Sequence, residues 1–292
     1  MHYTYRTAGL DWLDIWRRMY DAERAQGERA TAPGFQVGED FWAGQAERFA
    51  AAARRAPQPD AFMQRVLPQL RPDDIVLDIG AGSGRYLPVL ARACAHVIAL
   101  EPSPAMRAHL ERRIAEERLE NVTVVAATWP AQDVPPCDVA ISAHVVYGVR
   151  EIGPFLERMR DVARRECFLY LALRHPSTFI SPLWRRFHGE ERLPLPGGLE
   201  CLCVLHQLGI PAGLELIPVG SRITFAGEDE ALADVRFRLR LPPDPARDTA
   251  IRAAIRELFE PAADGQLAPP DQPRHAALIR WGRDETSGAA RA

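Results

Sequence analysis

The sequence contains no lysine, so all 36 of its basic residues are arginines. An enzyme that holds its substrate or cofactor as a Schiff base needs a lysine amine, and ordinary pyridoxal enzymes are therefore excluded. A phosphate-binding loop that ends in a lysine is excluded for the same reason. The chemistry of the protein must be sought in other residue types.

The chain is also poor in cysteine and lacks any long apolar run. Its five cysteines are scattered, and Cys201 and Cys203 are too close for a zinc knuckle. No group of His, Cys, Asp and Glu shows the spacing of metal ligands, so we expect no metal. No apolar run approaches the roughly 20 residues that cross a bilayer, and residues 1–13 lack a secretory signal pattern. We expect a cytoplasmic protein without a membrane segment, whose cysteines are buried and reduced.

Neither sign of charge dominates, because the formal net charge is −3 over 292 residues. Nucleic-acid-binding proteins usually carry a markedly basic surface, so we expect no nucleic-acid partner. With 47% hydrophobic residues, the chain has the composition of a folded globular protein.

The middle of the chain alternates apolar strands with amphipathic helices. Five predicted strands begin at Ile75, Val97, Val122, Asp138 and Cys167. This alternation predicts right-handed crossovers and an α/β fold, with a three-layer αβα arrangement around a mostly parallel sheet. Ser103 followed by Pro104 predicts the start of the helix after the second strand.

The flanking parts predict a helical N-terminal cap and a C-terminal extension. We expect a cap at 1–70, a core at 71–226, a helical insert at 227–274, a last strand at 275–282 and a disordered tail at 283–292. Residues 175–198 are rich in proline, arginine and aromatics, and this composition predicts a long loop. A separate short strand is expected at 223–225. The aromatic side chains of the cap either roof a pocket or dock its helices on the core. They are Trp12, Trp16, Tyr20, Phe41, Trp42 and Phe49.

A glycine-rich turn follows the first predicted strand, and it is the most informative feature of the chain. The strand contains Asp78 and leads directly into Gly80, Gly82 and Gly84, and the next strand ends at Glu101. Glycines let a backbone pass close under a ligand, because a Cβ there would collide with it. An acid at the tip of the neighbouring strand can accept two hydrogen bonds from a ribose diol. The pattern predicts a nucleoside site at the carboxyl edge of the sheet.

The segment 76–84, Val-Leu-Asp-Ile-Gly-Ala-Gly-Ser-Gly, resembles the signature loop of the class I, Rossmann-like S-adenosylmethionine-dependent methyltransferases. The resemblance extends from about Pro72 to Leu173 and implies S-adenosyl-L-methionine as the cofactor. It implies that the glycine turn lies under the methionine part and that Glu101 binds the ribose. The residues that it places at the cofactor are Asp78, Gly80, Ala81, Gly82, Gly84, Tyr86, Glu101, Pro102, Thr128, Trp129 and Ser142.

Two details separate this loop from a dinucleotide site. The third glycine of the dinucleotide fingerprint would fall on Arg85, whereas the chain has Gly84 one residue earlier. Asp78 suits an ammonium group and would repel a pyrophosphate. A nicotinamide or flavin enzyme is therefore the weaker interpretation.

The adenine end departs from the family pattern. The family usually has an aspartate just after the third strand, where this chain has Ala127, Thr128 and Trp129. Thr128 can accept a weaker bond from the adenine amino group. Trp129 either stacks on the purine or caps the edge of the sheet as an apolar interface residue.

The segment after the fourth strand supplies the candidate catalytic residues. His144 is the best candidate for a general base and Tyr147 for a residue that orients the substrate; alternatively, His144 holds a backbone carbonyl at the strand end. Relatives that methylate nucleic-acid bases have Asn/Asp-Pro-Pro-aromatic here, whereas this chain has Ser142, Ala143, His144 and Val145. The resemblance implies in-line methyl transfer to an O, N, S or C nucleophile of a small molecule. A non-catalytic cofactor-binding regulatory or partner subunit is the alternative.

Overall fold

The computed structural model describes residues 9–35, 45–55, 58–219, 223–262 and 265–282. Within them a seven-stranded sheet has the order β3-β2-β1-β4-β5-β9-β6, beside a two-stranded ribbon of β7 and β8. The strands are β1 Ile75–Ile79, β2 His96–Leu100, β3 Val122–Val125, β4 Cys137–Ala143, β5 Ala163–Ala172, β6 Gly213–Pro218, β7 Glu260–Pro261, β8 Leu267–Ala268 and β9 His275–Gly282. The first five strands pair in parallel, and β9 pairs antiparallel with β5 and β6. The prediction of a mostly parallel sheet is confirmed.

Ten α-helices surround this sheet in the described ranges. They are α1 Trp12–Ala30, α2 Ala46–Arg55, α3 Met63–Val66, α4 Leu87–Ala91, α5 Pro104–Glu117, α6 Ile152–Val162, α7 Ser181–His188, α8 Gly198–Gln207, α9 Glu228–Arg238 and α10 Pro245–Leu258. The predicted start of α5 is confirmed, because Ser103 Oγ accepts a hydrogen bond from Met106 N at 3.2 Å. Short 3₁₀ turns lie at Leu67–Gln69, Val146–Gly148 and Pro176–Ile180.

The sheet carries a hydrophobic core on each face, because alternate strand residues point to opposite sides. Leu77 and Ile79 of β1 pack with α1, α6 and α8 in one cluster, whereas Val76 packs with α3, α4 and α5 in the other. Strands covered on both faces consist of continuous apolar runs, as in residues 167–172 of β5. The result is the three-layer α/β architecture that the alternation predicts.

The predicted loop at 175–198 is wrong over its first half. The structure has a 3₁₀ turn at Pro176–Ile180 followed at once by α7. Phe179, Leu183 and Trp184 are fully buried there, at the spacing of one helix face. These three side chains belong to a third hydrophobic cluster, to which α9 and α10 also contribute. We call the three helices α7, α9 and α10 the helical unit.

Other predictions in the flanks have mixed outcomes. The strand expected at 223–225 is reduced to a single antiparallel bridge between Phe225 and Leu267. The last strand expected at 275–282 corresponds to β9. Phe41, Trp42 and the tail 283–292 lie outside the described residues. Trp16 is fully buried and donates from Nε1 to the Val149 carbonyl at 2.8 Å, so it docks α1 on the core.

Candidate functional site

The turn between β1 and α4 has three glycines with positive φ, and the surroundings of Gly80 and Gly82 differ. Gly80, Gly82 and Gly84 have φ of 73°, 58° and 79°, a region that side chains rarely adopt. A Cβ on Gly80 would lie 2.4 Å from Cγ2 of Val145. A Cβ on Gly82 would meet nothing within 4 Å, so this glycine borders open space. Gly82 is therefore the position where the bare backbone can approach a ligand.

Glu101 ties this turn to the start of α5. One carboxylate oxygen accepts from Gly82 N at 2.9 Å and the other accepts from Ser103 N at 2.8 Å. The side chain is 5% exposed, at the tip of β2. Backbone N–H donors on both oxygens fix the carboxylate beside the open face of the turn.

Asp78 lies on β1 just before the turn and is 2% exposed. Burial, together with the nearby Glu101 carboxylate, raises the pKa of Asp78 to about 7. In the described part of the chain no hydrogen-bond donor or arginine pairs with its carboxyl group. A buried carboxyl group without a cation is suited to receive one from a ligand.

Arg85 and Tyr86, which follow the turn, are anchored by Asp60. Arg85 Nη2 pairs with Asp60 Oδ2 at 2.7 Å, and the Tyr86 hydroxyl donates to the same oxygen at 3.1 Å. Asp60 also accepts from Met63 N and so caps α3. The Tyr86 ring is buried against Phe62, with 5.5 Å between centroids. Tyr86 thus holds the turn in place, and its contact with a cofactor stays a prediction.

These residues fit the cofactor that the resemblance implies. The ligand has an ammonium group, a carboxylate and a ribose diol. The turn offers open space at Gly82, an unpaired carboxyl group at Asp78 and an acceptor at Glu101. Nε of Arg85 is in addition buried, and among the described residues it has no hydrogen-bond partner. The donor and acceptor set therefore matches an amino-acid nucleoside better than a pyrophosphate.

At the end of β4, Ser142 and His144 have different roles. The Ser142 hydroxyl is buried and donates to the carbonyl oxygen of Ile79 at 3.1 Å, which joins β4 to the last residue before the turn. His144 has a φ of 59°, and its backbone N–H donates to Tyr170 O at 2.7 Å. The positive φ turns the chain sharply and leaves the His144 ring exposed.

The His144 imidazole contacts Tyr147 and does not hold a backbone carbonyl. Its Nδ1 lies 3.2 Å from the Tyr147 hydroxyl, which also accepts a hydrogen bond from Ala172 N. The surrounding protein and the charge of Arg85 lower the pKa of His144 to about 4. The imidazole is therefore neutral at pH 7.

Five rings form a continuous line behind this position, and we call it the aromatic row (Phe62, Tyr170, His144, Tyr147 and His175). Centroid distances are 4.9 Å from Phe62 to Tyr170, 4.7 Å from Tyr170 to His144, and 4.8 Å from Tyr147 to His175. The row joins α3, β5 and the segment after β4 at one edge of the sheet. Phe62 and Tyr170 carry no sequence signal of a site, because they lie in apolar segments typical of the core.

The adenine end is less complete. Thr128 and Pro102 are exposed beside the ends of β3 and β2. Trp129 is buried, donates from Nε1 to Phe155 O at 3.1 Å and packs edge-on against the Phe155 ring. This contact favours the apolar interface role for Trp129 over stacking on a purine. The adenine contact of Thr128 stays a prediction.

The remaining candidates fall outside the site. Arg185 and Arg186 of α7 are in ion pairs with Glu191 and Glu257, and Arg192, in the segment after α7, pairs with Glu23. In the described ranges no three His, Cys, Asp or Glu side chains are grouped to hold a metal ion. No helix there is long and apolar enough to span a membrane. All five cysteines are free thiols, and four of them are buried.

Comparison with known proteins identifies the same segment. A family model described as "Methyltransferase domain" matches residues 76–166. An uncharacterized protein of Haemophilus influenzae is 30% identical over 189 residues, which cover 62% of this chain and 69% of that protein. A ribosomal RNA small subunit methyltransferase A of Thermotoga neapolitana is 32% identical over 133 residues, or 44% of this chain and 49% of that enzyme.

A solved structure of a putative methyltransferase from Bacillus halodurans has the same fold. It superposes with a TM-score of 0.50 at 13% identity and covers 75% of this chain and 97% of that one. At this identity the likeness concerns the fold alone.

Proposed function

Because the chain belongs to the class I, Rossmann-like S-adenosylmethionine-dependent methyltransferases, we propose that it methylates a small molecule by in-line transfer to an O, N, S or C nucleophile. The protein is an enzyme whose cofactor is S-adenosyl-L-methionine. When bound, this cofactor supplies a methyl group already activated on a sulfonium sulfur.

The binding roles follow from the residues around the turn. Gly82 would let the cofactor approach the backbone, Asp78 would receive its ammonium group, and Glu101 would accept from its ribose hydroxyls. These residues and His144 all lie at or just beyond the carboxyl ends of β1, β2 and β4, so a cofactor bound here would lie at the same edge of the sheet as His144. The contribution of the protein is alignment and exclusion of water, because the reactive group arrives activated.

One observation carries the choice of a small molecule: the aromatic row lies beside the exposed His144 at the end of β4. Ligand sites for small organic molecules are lined predominantly by apolar and aromatic side chains with a few polar groups among them. The net charge of −3 gives no overall electrostatic attraction for a phosphate backbone. The segment after β4 also lacks the Asn/Asp-Pro-Pro-aromatic tetrapeptide.

Methylation of RNA is the competing function, and it comes from the relatives alone. This chain covers 49% or less of the ribosomal RNA methyltransferases that it matches. These partial matches leave half or more of each RNA enzyme without a counterpart. The two functions are therefore arms of one experiment.

The experiment follows formation of S-adenosylhomocysteine when the protein and the cofactor meet a metabolite panel or total RNA. We expect turnover with a member of the panel and none with RNA. Glu101→Ala should reduce this turnover and weaken S-adenosylhomocysteine binding by about 1.5–3 kcal/mol, because a charged acceptor is lost. The matched control is Glu117→Ala at the end of α5, which removes the ion-pair partner of Arg92 at the surface. We expect this variant to bind S-adenosylhomocysteine as the unmodified protein does. Methyl transfer to RNA would overturn the proposal.

A further inference from the structure

The hydrogen bonds of Tyr147 determine which nitrogen of His144 carries the hydrogen. The Tyr147 side chain is buried, and its oxygen accepts a hydrogen bond from Ala172 N. The hydroxyl hydrogen needs an acceptor of its own, because a buried hydroxyl is rarely left unpaired. In the described chain the acceptor within reach is His144 Nδ1, at 3.2 Å.

The opposite direction of this bond is unfavourable. If Nδ1–H donated to the Tyr147 oxygen, that oxygen would accept two hydrogen bonds and its own hydrogen would be buried without a partner. Neutral imidazole has a single N–H. Since Tyr147 donates to Nδ1, the hydrogen of His144 lies on Nε2.

Nε2 is the atom of His144 that remains for a ligand. His144 is exposed, and no described residue hydrogen-bonds to Nε2. Arg85 acts electrostatically on this imidazole, and its guanidinium is itself paired with Asp60. The N–H group on Nε2 is suited to an anionic acceptor, because charge-assisted hydrogen bonds are the stronger ones.

We propose that His144 binds the substrate as a hydrogen-bond donor through Nε2–H, and that the substrate presents an ionised oxygen, a carboxylate or phenolate, to this atom. The inference rests on the proposed function and narrows its substrate class. It replaces the role of general base expected from the sequence, since a nitrogen that carries hydrogen cannot accept a proton. Tyr147 is then a positioning residue, which acts through His144.

Nuclear magnetic resonance of the full chain labelled with ¹⁵N-histidine tests the tautomer directly. Long-range ¹H–¹⁵N correlation spectra distinguish Nε2–H, Nδ1–H and imidazolium rings, and His144→Gln identifies the His144 signals among the eight histidines. We expect the Nε2–H pattern from pH 6 to pH 8. A Nδ1–H ring, or an imidazolium in this range, would overturn the proposal.

Tyr147→Phe provides the second readout. Without the hydroxyl, Nδ1 loses its donor, so the His144 signals should move from one tautomer to a mixture. If this variant does not fold, the tautomer of the unmodified protein still decides. A single unchanged Nε2–H tautomer in folded Tyr147→Phe would contradict the positioning role of Tyr147.

Sodium formate is the probe for the ionised oxygen, titrated against sodium chloride at constant ionic strength. We expect a saturable shift of the His144 Nε2 signal with formate only. His144→Ala should weaken formate binding about 10–100-fold, and His144→Gln, whose amide can donate from a similar place, less than about 3-fold. An equal response to chloride would overturn the anion site. A missing thermal shift with S-adenosylhomocysteine would instead contradict the proposed function, because formate binding does not require the cofactor.

Discussion

At the scale of single residues, Asp78 is the side chain whose chemistry changes most on ligand binding. It is buried before the glycine turn, and burial with the neighbouring Glu101 raises its pKa to about 7. In the free protein Asp78 is therefore mostly protonated at pH 6. A cation placed next to it favours the ionised form and lowers its pKa.

Binding of S-adenosylhomocysteine should therefore release a proton. At pH 6 we expect close to one proton per ligand, because the ammonium group of the ligand ionises Asp78. Above pH 8.5 the release should be small, since Asp78 is already ionised. Calorimetry at pH 6 in two buffers with different ionisation enthalpies measures this number.

Asp78→Asn should abolish the release and weaken binding. The same residue makes the unliganded protein sensitive to pH. The pKa of Asp78 is about 7 in the folded protein and 3.8 in the unfolded chain. Its contribution to the free energy of unfolding is therefore full below pH 4 and is lost as pH rises through 7. Proton uptake on binding, or release that persists in Asp78→Asn, would contradict the assigned role.

At the scale of elements, the glycine turn and the segment after β4 fit together through one contact. Gly80 has a φ of 73° and faces Val145, which follows His144. Gly82 has a similar φ but faces open space. Glycine is therefore needed at position 80 because the protein packs closely around it, and at position 82 because a ligand can occupy the space beside it.

A double-mutant cycle separates these constraints. Gly80→Ala should destabilise the protein by about 2–4 kcal/mol, from backbone strain and the clash with Val145. In a Val145→Ala background the same change should cost only about 1–2 kcal/mol, the share of the strain. Urea unfolding of the four proteins gives the coupling energy.

Gly82→Ala is the matched variant for this cycle. It should cost about 1–2 kcal/mol of stability in either background, because its Cβ meets no neighbour. It should nevertheless weaken S-adenosylhomocysteine binding, since the methyl group occupies the open face of the turn. Equal coupling of both glycines to Val145 would show that the contact is misassigned.

The sequence predicts the elements where local pattern decides them. The apolar run of β1, its glycine turn and the capped start of α5 are all local, and the structure has them where expected. The sequence predicts a loop where the structure has α7, because proline and arginine are frequent there and are typical of exposed segments. The buried face of α7 depends on packing against α9 and α10, which the local sequence does not show. The aromatic row could not be predicted, since it joins side chains distant in sequence that only the assembled sheet brings together.

At the scale of the whole molecule, α1 connects the sheet to the segment that precedes α8. Trp16 is buried against the core, and its indole donates to Val149 O, close to Tyr147. Farther along α1, Glu23 pairs with Arg192, and the Gln26 side chain bonds to backbone atoms of Glu191 and Leu193. The helix therefore contacts both the sheet edge with the site and the segment between α7 and α8.

Trp16→Ala should destabilise the protein by about 3–5 kcal/mol, because it removes a fully buried indole and one hydrogen bond. Leu199→Ala, at a side chain that is 57% exposed, should change stability by less than about 0.5 kcal/mol. Urea unfolding monitored by circular dichroism measures both. A Trp16→Ala effect as small as that of Leu199→Ala would show that α1 is not docked through this residue.

The place of β9 in the sheet has a consequence for biogenesis. This strand, His275–Gly282, lies between β5 and β6, although the ribosome makes it about a hundred residues after β5. Until it emerges, the apolar edge of β5 has no partner on that side, and β6 has no strand to join. The nascent polypeptide therefore has an unpaired edge strand while residues 173–274 are being synthesised. Unpaired edges are prone to aggregation, and chaperones can bind the chain in this state.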